Sequence, residues 1–134
     1  MDYLSGKDKL QKTFLDSETG KYLDAKLAFK NLCNHIYLCL TSDEKAELSE
    51  KYLSLNMKKI LKDDELVESV NAFFANNLNI SETSRNAFLH RNTLLYRIDK
   101  IHKKTGLNVK KFDDAITFKI LSMIYFKEYY SNGR

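Results

Sequence analysis

A chain of 134 residues with 43% hydrophobic content has enough apolar side chain for one packed domain, or a small domain with an appendage. It has no proline and only four glycines (Gly6, Gly20, Gly106 and Gly133), too little punctuation for hairpins or a sandwich, so the expected class is all-α. The net charge of +4 is mild, no run of about 18 apolar residues offers a membrane span, and Met1–Lys7 lacks the basic-then-apolar plan of a signal peptide; a cytoplasmic protein is expected.

In chain order, Leu10, Phe14 and Leu15 suggest a short helix over Lys7–Leu15, followed by a polar loop over Asp16–Gly20. Lys21 to Leu40 reads as a long helix, because Tyr22, Ala25, Phe29, Leu32 or Cys33, Ile36 and Leu40 recur at three and four. Ala28, Tyr37, Leu38 and Cys39 widen its apolar surface, which fits a central core helix or one half-buried in a partner. Cys33 and Cys39 are six apart on this helix and face different sides, so they are expected as buried, reduced thiols rather than a disulfide. Cys33 and His35 lack a second ligand pair and make no metal site.

Thr41-Ser42-Asp43-Glu44 is a helix start, a hydroxyl cap followed by acids. That helix is expected to reach Leu55, with Ala46, Leu48, Tyr52, Leu53 and Leu55 inward and an acidic, solvated outer face. Met57, Ile60 and Leu61 suggest a short helix before Lys62. Asp63-Asp64-Glu65 starts another, carrying Leu66, Val67, Val70, Phe73 and Phe74 as its stripe, with acids at the positive end of the helix dipole.

Asn79 to Ile101 has the build of two helices joined by a tight turn. Asn79 or Ser81 caps the first, which turns Ile80, Thr83, Ala87 and Phe88 inward. Leu89 plugs the turn, and the usual turn glycine is missing. The second runs from about Arg91 to Lys104. Leu94, Ile98 and Ile101 share one face, Asn92, Thr93, Tyr96, Asp99, Lys100 and Lys103 the opposite one, and Leu95 and Arg97 flank them. Gly106 ends the helix. From Arg85 to Lys111 there are eight basic residues and one acid, Asp99, a net +7; the rest of the chain is therefore −3. Charge concentrated in this way is what a phosphate-binding surface requires. Beyond Gly106, Leu107 and Val109 tuck back. Phe112 to Tyr130 is a last helix with more apolar residues than one side can hold, so its far side is covered either by a second subunit, the preferred expectation, or by the chain's own N-terminal helices.

Glu65-Leu66-Val67 to Phe74, Asn79 to Ser84, His90-Arg91-Asn92-Thr93-Leu94-Leu95-Tyr96-Arg97-Ile98, and Ile101 with Thr105-Gly106-Leu107 resemble the C-terminal helix-turn-helix domain of the PucR/CdaR family. The resemblance covers about Asp64 to Phe126 and implies a bacterial transcription regulator that binds double-stranded DNA. Ser84 departs from it: the family usually has alanine there, so a slightly looser contact between the helices is expected. Members of the family usually carry a sensor region ahead of this domain. Only about 60 residues precede it here, so the chain is expected to be a fragment of a longer regulator or one with a reduced sensing part.

The expected whole is a helical bundle of about six to seven helices: residues 1–62 as an N-terminal helical region of unknown role, and 63–134 as the helix-turn-helix domain with its C-terminal packing helix. Arg91, Asn92 and Tyr96 are the expected base readers in the major groove. Asn79, Ser81, Thr93, Lys100 and Lys103 are the expected phosphate contacts, together with Arg97, whose flanking position equally suits a brace to an acid; His90 is expected to cap and pack. The expected partners are DNA and a second copy of the chain, with an unknown small-molecule effector. No catalytic set, metal cluster or cofactor motif stands out, so no enzyme is expected. The alternative is a helical protein-interaction module that does not bind DNA.

Overall fold

The computed structural model of the chain describes residues 25–130. The expected helix at 7–15, the loop at 16–20 and the first turn of the helix expected from Lys21 lie outside the described residues. Seven α-helices follow: α1 Ala25–Cys39, α2 Ser42–Tyr52, α3 Leu55–Leu61, α4 Asp64–Ala75, α5 Ile80–Asn86, α6 Arg91–Thr105 and α7 Phe112–Ile124. A π-helical turn, Tyr125–Tyr130, continues α7. No strand occurs among the described residues, so the all-α expectation holds.

Side-chain caps set most of these boundaries. Thr41 and Glu44 form a reciprocal capping box at the start of α2, the Thr41 Oγ1 accepting from Glu44 N and the Glu44 carboxylate from Thr41 N. α2 ends at Tyr52 rather than near Leu55, because Ser54 turns out of the helix and caps α3 by accepting from Met57 N at 3.1 Å. The inward face also differs from the expected one. Ser49 and Leu53 are buried and Leu48 half-buried, while Ala46, Tyr52 and Leu55 are exposed. Asp63 caps α4 and accepts from Leu66 N.

The core is continuous from Phe29 to Tyr125. α1 packs on α4 and α7, α2 on α7, α3 on α4 and α6, and α4 on α5 and α6. Phe29, Phe74 and Phe118 stack α1, α4 and α7 together, with ring centroids 4.8 Å apart for Phe29–Phe74 and 6.3 Å for Phe74–Phe118. On α1 the buried stripe is Phe29, Cys33 and Tyr37, with Leu32, Ile36 and Leu40 half-buried and Leu38 exposed. Cys39 is exposed, against expectation: six residues is about 240° around a helix, so a buried Cys33 turns it outward. Both cysteines are free.

The last helix is enclosed within the chain. Ile120 to Tyr125 are six consecutive buried residues, which is possible only because α1 and α2 cover the side that α4 does not reach. Much of the apolar surface that suggested a second subunit is met by these N-terminal helices, while Phe112, at the start of α7, is 55% exposed. None of the described helices is long and apolar enough to cross a membrane, and no group of three or more metal-ligating side chains gathers among the described residues.

Candidate nucleic-acid interface

α5 and α6 form the helix pair, and each end of α5 is tied locally. Asn79 is the N-cap, its Oδ1 accepting from Glu82 N at 2.8 Å. Thr83 is fully buried and donates to the Asn79 carbonyl at 2.7 Å. Asn77 and Leu78, just before the cap, have φ of +60° and +55°. At the far end Asn86 Nδ2 donates to Asn76 Oδ1 at 2.6 Å, fastening α5 to the end of α4.

The turn explains how the chain manages without a glycine. Phe88 takes the left-handed backbone at φ +53°, where a glycine would be unstrained. Ser84 bridges the turn from both groups: its carbonyl accepts from Leu89 N at 3.1 Å, and its Oγ donates to the Leu89 carbonyl at 2.5 Å. The hydroxyl of this serine thus adds a bond across the turn that an alanine could not make. Leu89 is half-buried against the core, as expected of the plug. Ala87 and Phe88 are not inward. α5 ends at Asn86, and the left-handed residue swings its ring into solvent, 96% exposed.

α6 spans Arg91–Thr105 and ends at Gly106, φ +81°, whose N–H bonds the His102 carbonyl at 2.8 Å. His90 is the N-cap: its Nδ1 accepts from Asn92 N at 3.0 Å. It caps as expected but is exposed rather than packed. Leu94, Ile98 and Ile101 are buried, at 0%, 1% and 0% exposure, and press α6 onto α3, α4 and α5. Val109 is buried and Leu107 half-buried behind them.

The opposite face is open. Asn92, Asp99 and Lys103 are exposed on it, Tyr96 is 67% exposed, and Thr93 and Lys100 are half-buried; Arg91, seven residues before Ile98, is on the ridge side but exposed at the helix start. Arg91 reaches back to α5, its Nη1 donating to Ser81 Oγ at 3.3 Å, so the starts of the two helices lie side by side. Lys103 pairs with Asp99 at 3.0 Å, one turn away and well solvated. Five of the nine expected site residues (Asn92, Thr93, Tyr96, Lys100, Lys103) therefore share one side of α6, and Arg91 stands at the helix start, turned toward α5. Ser81 joins them through Arg91, and Asn79 sits nearby with its side-chain oxygen used in the cap.

Arg97 is placed differently. Its guanidinium turns to α4, where Nη1 donates to Ser69 Oγ at 2.8 Å and Nη2 meets the Glu65 carboxylate at 3.0 Å. Of the two roles its flanking position suggested, this is the brace; the phosphate-contact expectation does not match where the side chain lies. Ser69 is buried and donates in turn to the Glu65 carbonyl at 2.7 Å. Sequence reasoning missed Ser69, although Glu65 and Ser69, four apart on a helix, necessarily share a face.

A family description, the PucR C-terminal helix-turn-helix domain, matches residues 66–121. The uncharacterized protein YxkF of Bacillus subtilis is 37% identical over 54 residues, which is 40% of this chain and 18% of that protein. The uncharacterized protein YsfB of the same organism is 29% identical over 83 residues, 62% of this chain and 22% of that protein. The carbohydrate diacid regulator of Escherichia coli is 44% identical over 45 residues, 34% of this chain and 12% of that protein. The matched stretch spans only 12% to 22% of these three relatives. No solved structure matches the chain. The buried Leu94–Ile98–Ile101 stripe, the Asn79 cap and the glycine stop at 106 all fall inside the matched residues, so the helix pair and its supports are the part of this chain that is similar to the PucR C-terminal helix-turn-helix domain.

Proposed function

We propose that this chain binds double-stranded DNA sequence-specifically, as part of a bacterial transcription regulator, with α6 in the major groove. The observation that carries the reading is the open side of α6. It presents Asn92 and Tyr96, with Arg91 exposed beside them at the end of the helix that begins beside α5, within a segment whose only acid, Asp99, is paired with Lys103. Arg91 suits a bidentate contact to guanine and Asn92 one to adenine, each worth about 1–3 kcal/mol of discrimination. Tyr96, one turn on, reaches a base methyl. Thr93, Lys100, Lys103, Ser81 and the start of α5 at Asn79 hold phosphates and fix the register. Under this reading the groove-facing work belongs to residues 63–134, and the helices before them support the fold. The name of the carbohydrate diacid regulator of Escherichia coli is in keeping with regulation.

The test is selection of bound duplexes from a random pool, followed by binding curves at several salt concentrations. Arg91→Ala and Asn92→Ala relax the sequence preference, and Lys100→Ala weakens all duplexes alike. Log affinity falls with log salt by roughly 0.9 for each phosphate contacted. A near-palindromic selected site with half-sites about 34–36 Å apart marks the expected homodimer, and an asymmetric one marks a single chain. A chain that selects nothing, or binds without salt dependence, refutes the proposal and leaves the protein-interaction reading.

A further inference from the structure

Leu94, Ile98 and Ile101 hold α6 by an apolar ridge that has no preferred direction. Burial of such a ridge scales with area and not with direction, so it sets the roll of the helix about its own axis less sharply than bonds of fixed direction do. Asn92 and Tyr96 lie on the other side of that axis and Arg91 at its start, so a small roll moves these reading residues sideways, away from the base edges they are proposed to face.

Arg97 ties α6 to α4 at mid-helix and checks this roll there, while the long 3.3 Å contact from Arg91 to Ser81 holds only the first turn, to α5. It sits on the flank, off the ridge, and its planar fork makes two bonds of fixed direction to α4, to Ser69 Oγ at 2.8 Å and to Glu65 at 3.0 Å. Ser69 is itself fixed, buried and bonded to the Glu65 carbonyl, so the anchor is rigid. The Glu65 carboxylate is 79% exposed and the Arg97 side chain 22%, so the ion pair adds little stability. Its contribution is geometric. α4 is in turn locked into the core through Phe73 and Phe74.

From this geometry we infer that Arg97, with Ser69 and Glu65, is a positioning set: it fixes the rotational setting of α6 and thereby the sequence preference, without touching DNA. The inference rests on the DNA-binding reading above.

The experiment compares wild type with Arg97→Met, Arg97→Lys and Glu65→Ala, measuring affinity for the selected site and for a scrambled duplex over a salt series. Cooperative unfolding of each variant is checked beside it. Discrimination falls by about tenfold or more in Arg97→Met and Glu65→Ala, comparable to losing one bidentate base contact. Arg97→Lys does not restore it, because an ammonium keeps the charge but cannot bond in two fixed directions. The salt slope and the scrambled-duplex affinity of Glu65→Ala and Arg97→Met stay at the wild-type values. A uniform loss in Arg97→Met with a slope shallower by about 0.9 identifies a phosphate contact and overturns the inference. Unchanged discrimination in Glu65→Ala overturns it as well. A wild-type chain that binds every duplex alike overturns the DNA-binding reading and this inference together, whereas a discriminating wild type with discriminating variants overturns the inference alone.

Discussion

Replacing Phe88 by glycine tests the turn between α5 and α6. Phe88 sits at φ +53° with its ring 96% exposed, so the side chain contributes almost no burial while the backbone is held in the left-handed region. For an L-residue with a Cβ that region costs about 1–2 kcal/mol. Glycine removes the strain but brings more freedom to the unfolded chain, an offset of about 0.5–1 kcal/mol. The expected balance is a stabilisation of about 0.5–1 kcal/mol, a rise in Tm of roughly 2–5 °C for a domain of this size. Phe88→Ala is the control, because it removes the ring and keeps the Cβ and its strain. Scanning calorimetry of the three proteins decides the matter. If the glycine variant melts no higher than the alanine variant, the strain is not there and the account of the turn is wrong.

Other outcomes follow from the same geometry. Ser84→Ala removes the donor to the Leu89 carbonyl and lowers stability by about 1 kcal/mol in urea unfolding. Under native conditions a thiol reagent at mild pH modifies one cysteine per chain, exposed Cys39, and both after unfolding; burial pushes the Cys33 thiol up to about 11 and shields it, with Lys119 opposing only in part. Stability falls in alkali. Cys33 is raised from 9.0 to about 11 by burial, and Tyr37 from 10.0 to about 12 by burial, then by its bond to Glu128 and that carboxylate's charge. Both groups stay neutral in the folded chain at pH values where the unfolded chain ionises them. Their contribution is therefore intact below about pH 9 and declines as pH climbs through 9–11 for Cys33 and 10–12 for Tyr37. A urea midpoint that stays level from pH 9 to 11 contradicts this, and Tyr37→Phe should flatten the upper part of the decline.

Much of the helix pair was legible because its signals are local. An asparagine three residues ahead of the N–H it caps, apolar residues at four and three, and a glycine just past the last periodic residue each act over one turn of chain. Asn79, Leu94, Ile98, Ile101 and Gly106 took the roles expected of them. The misses have a common cause in choices between faces. Periodicity places Ala46, Tyr52 and Leu55 inside, but this stretch turns in Leu48, Ser49 and Leu53, and a cap at Ser54 starts a new helix before Leu55. Phe88 was placed inside because it is apolar, yet one left-handed residue reverses where a side chain points. Arg97 had two partners open to it, and only the packing of α4 against α6 could choose between them. For the last helix, composition showed that both sides had to be covered, and tertiary packing alone could say by what.

The enclosure of α7 limits how the chain can be divided. Shortening it to begin at Asp63 keeps every residue proposed to meet DNA, but strips the cover from Phe118, Leu121 and Tyr125. The excised piece would present a greasy flank to water and would tend to clump. Trimming this protein to its apparent business end would thus lose solubility before it lost any contact with a duplex, and the helices ahead of Asp63 would have to be retained as a lid even in the smallest workable fragment.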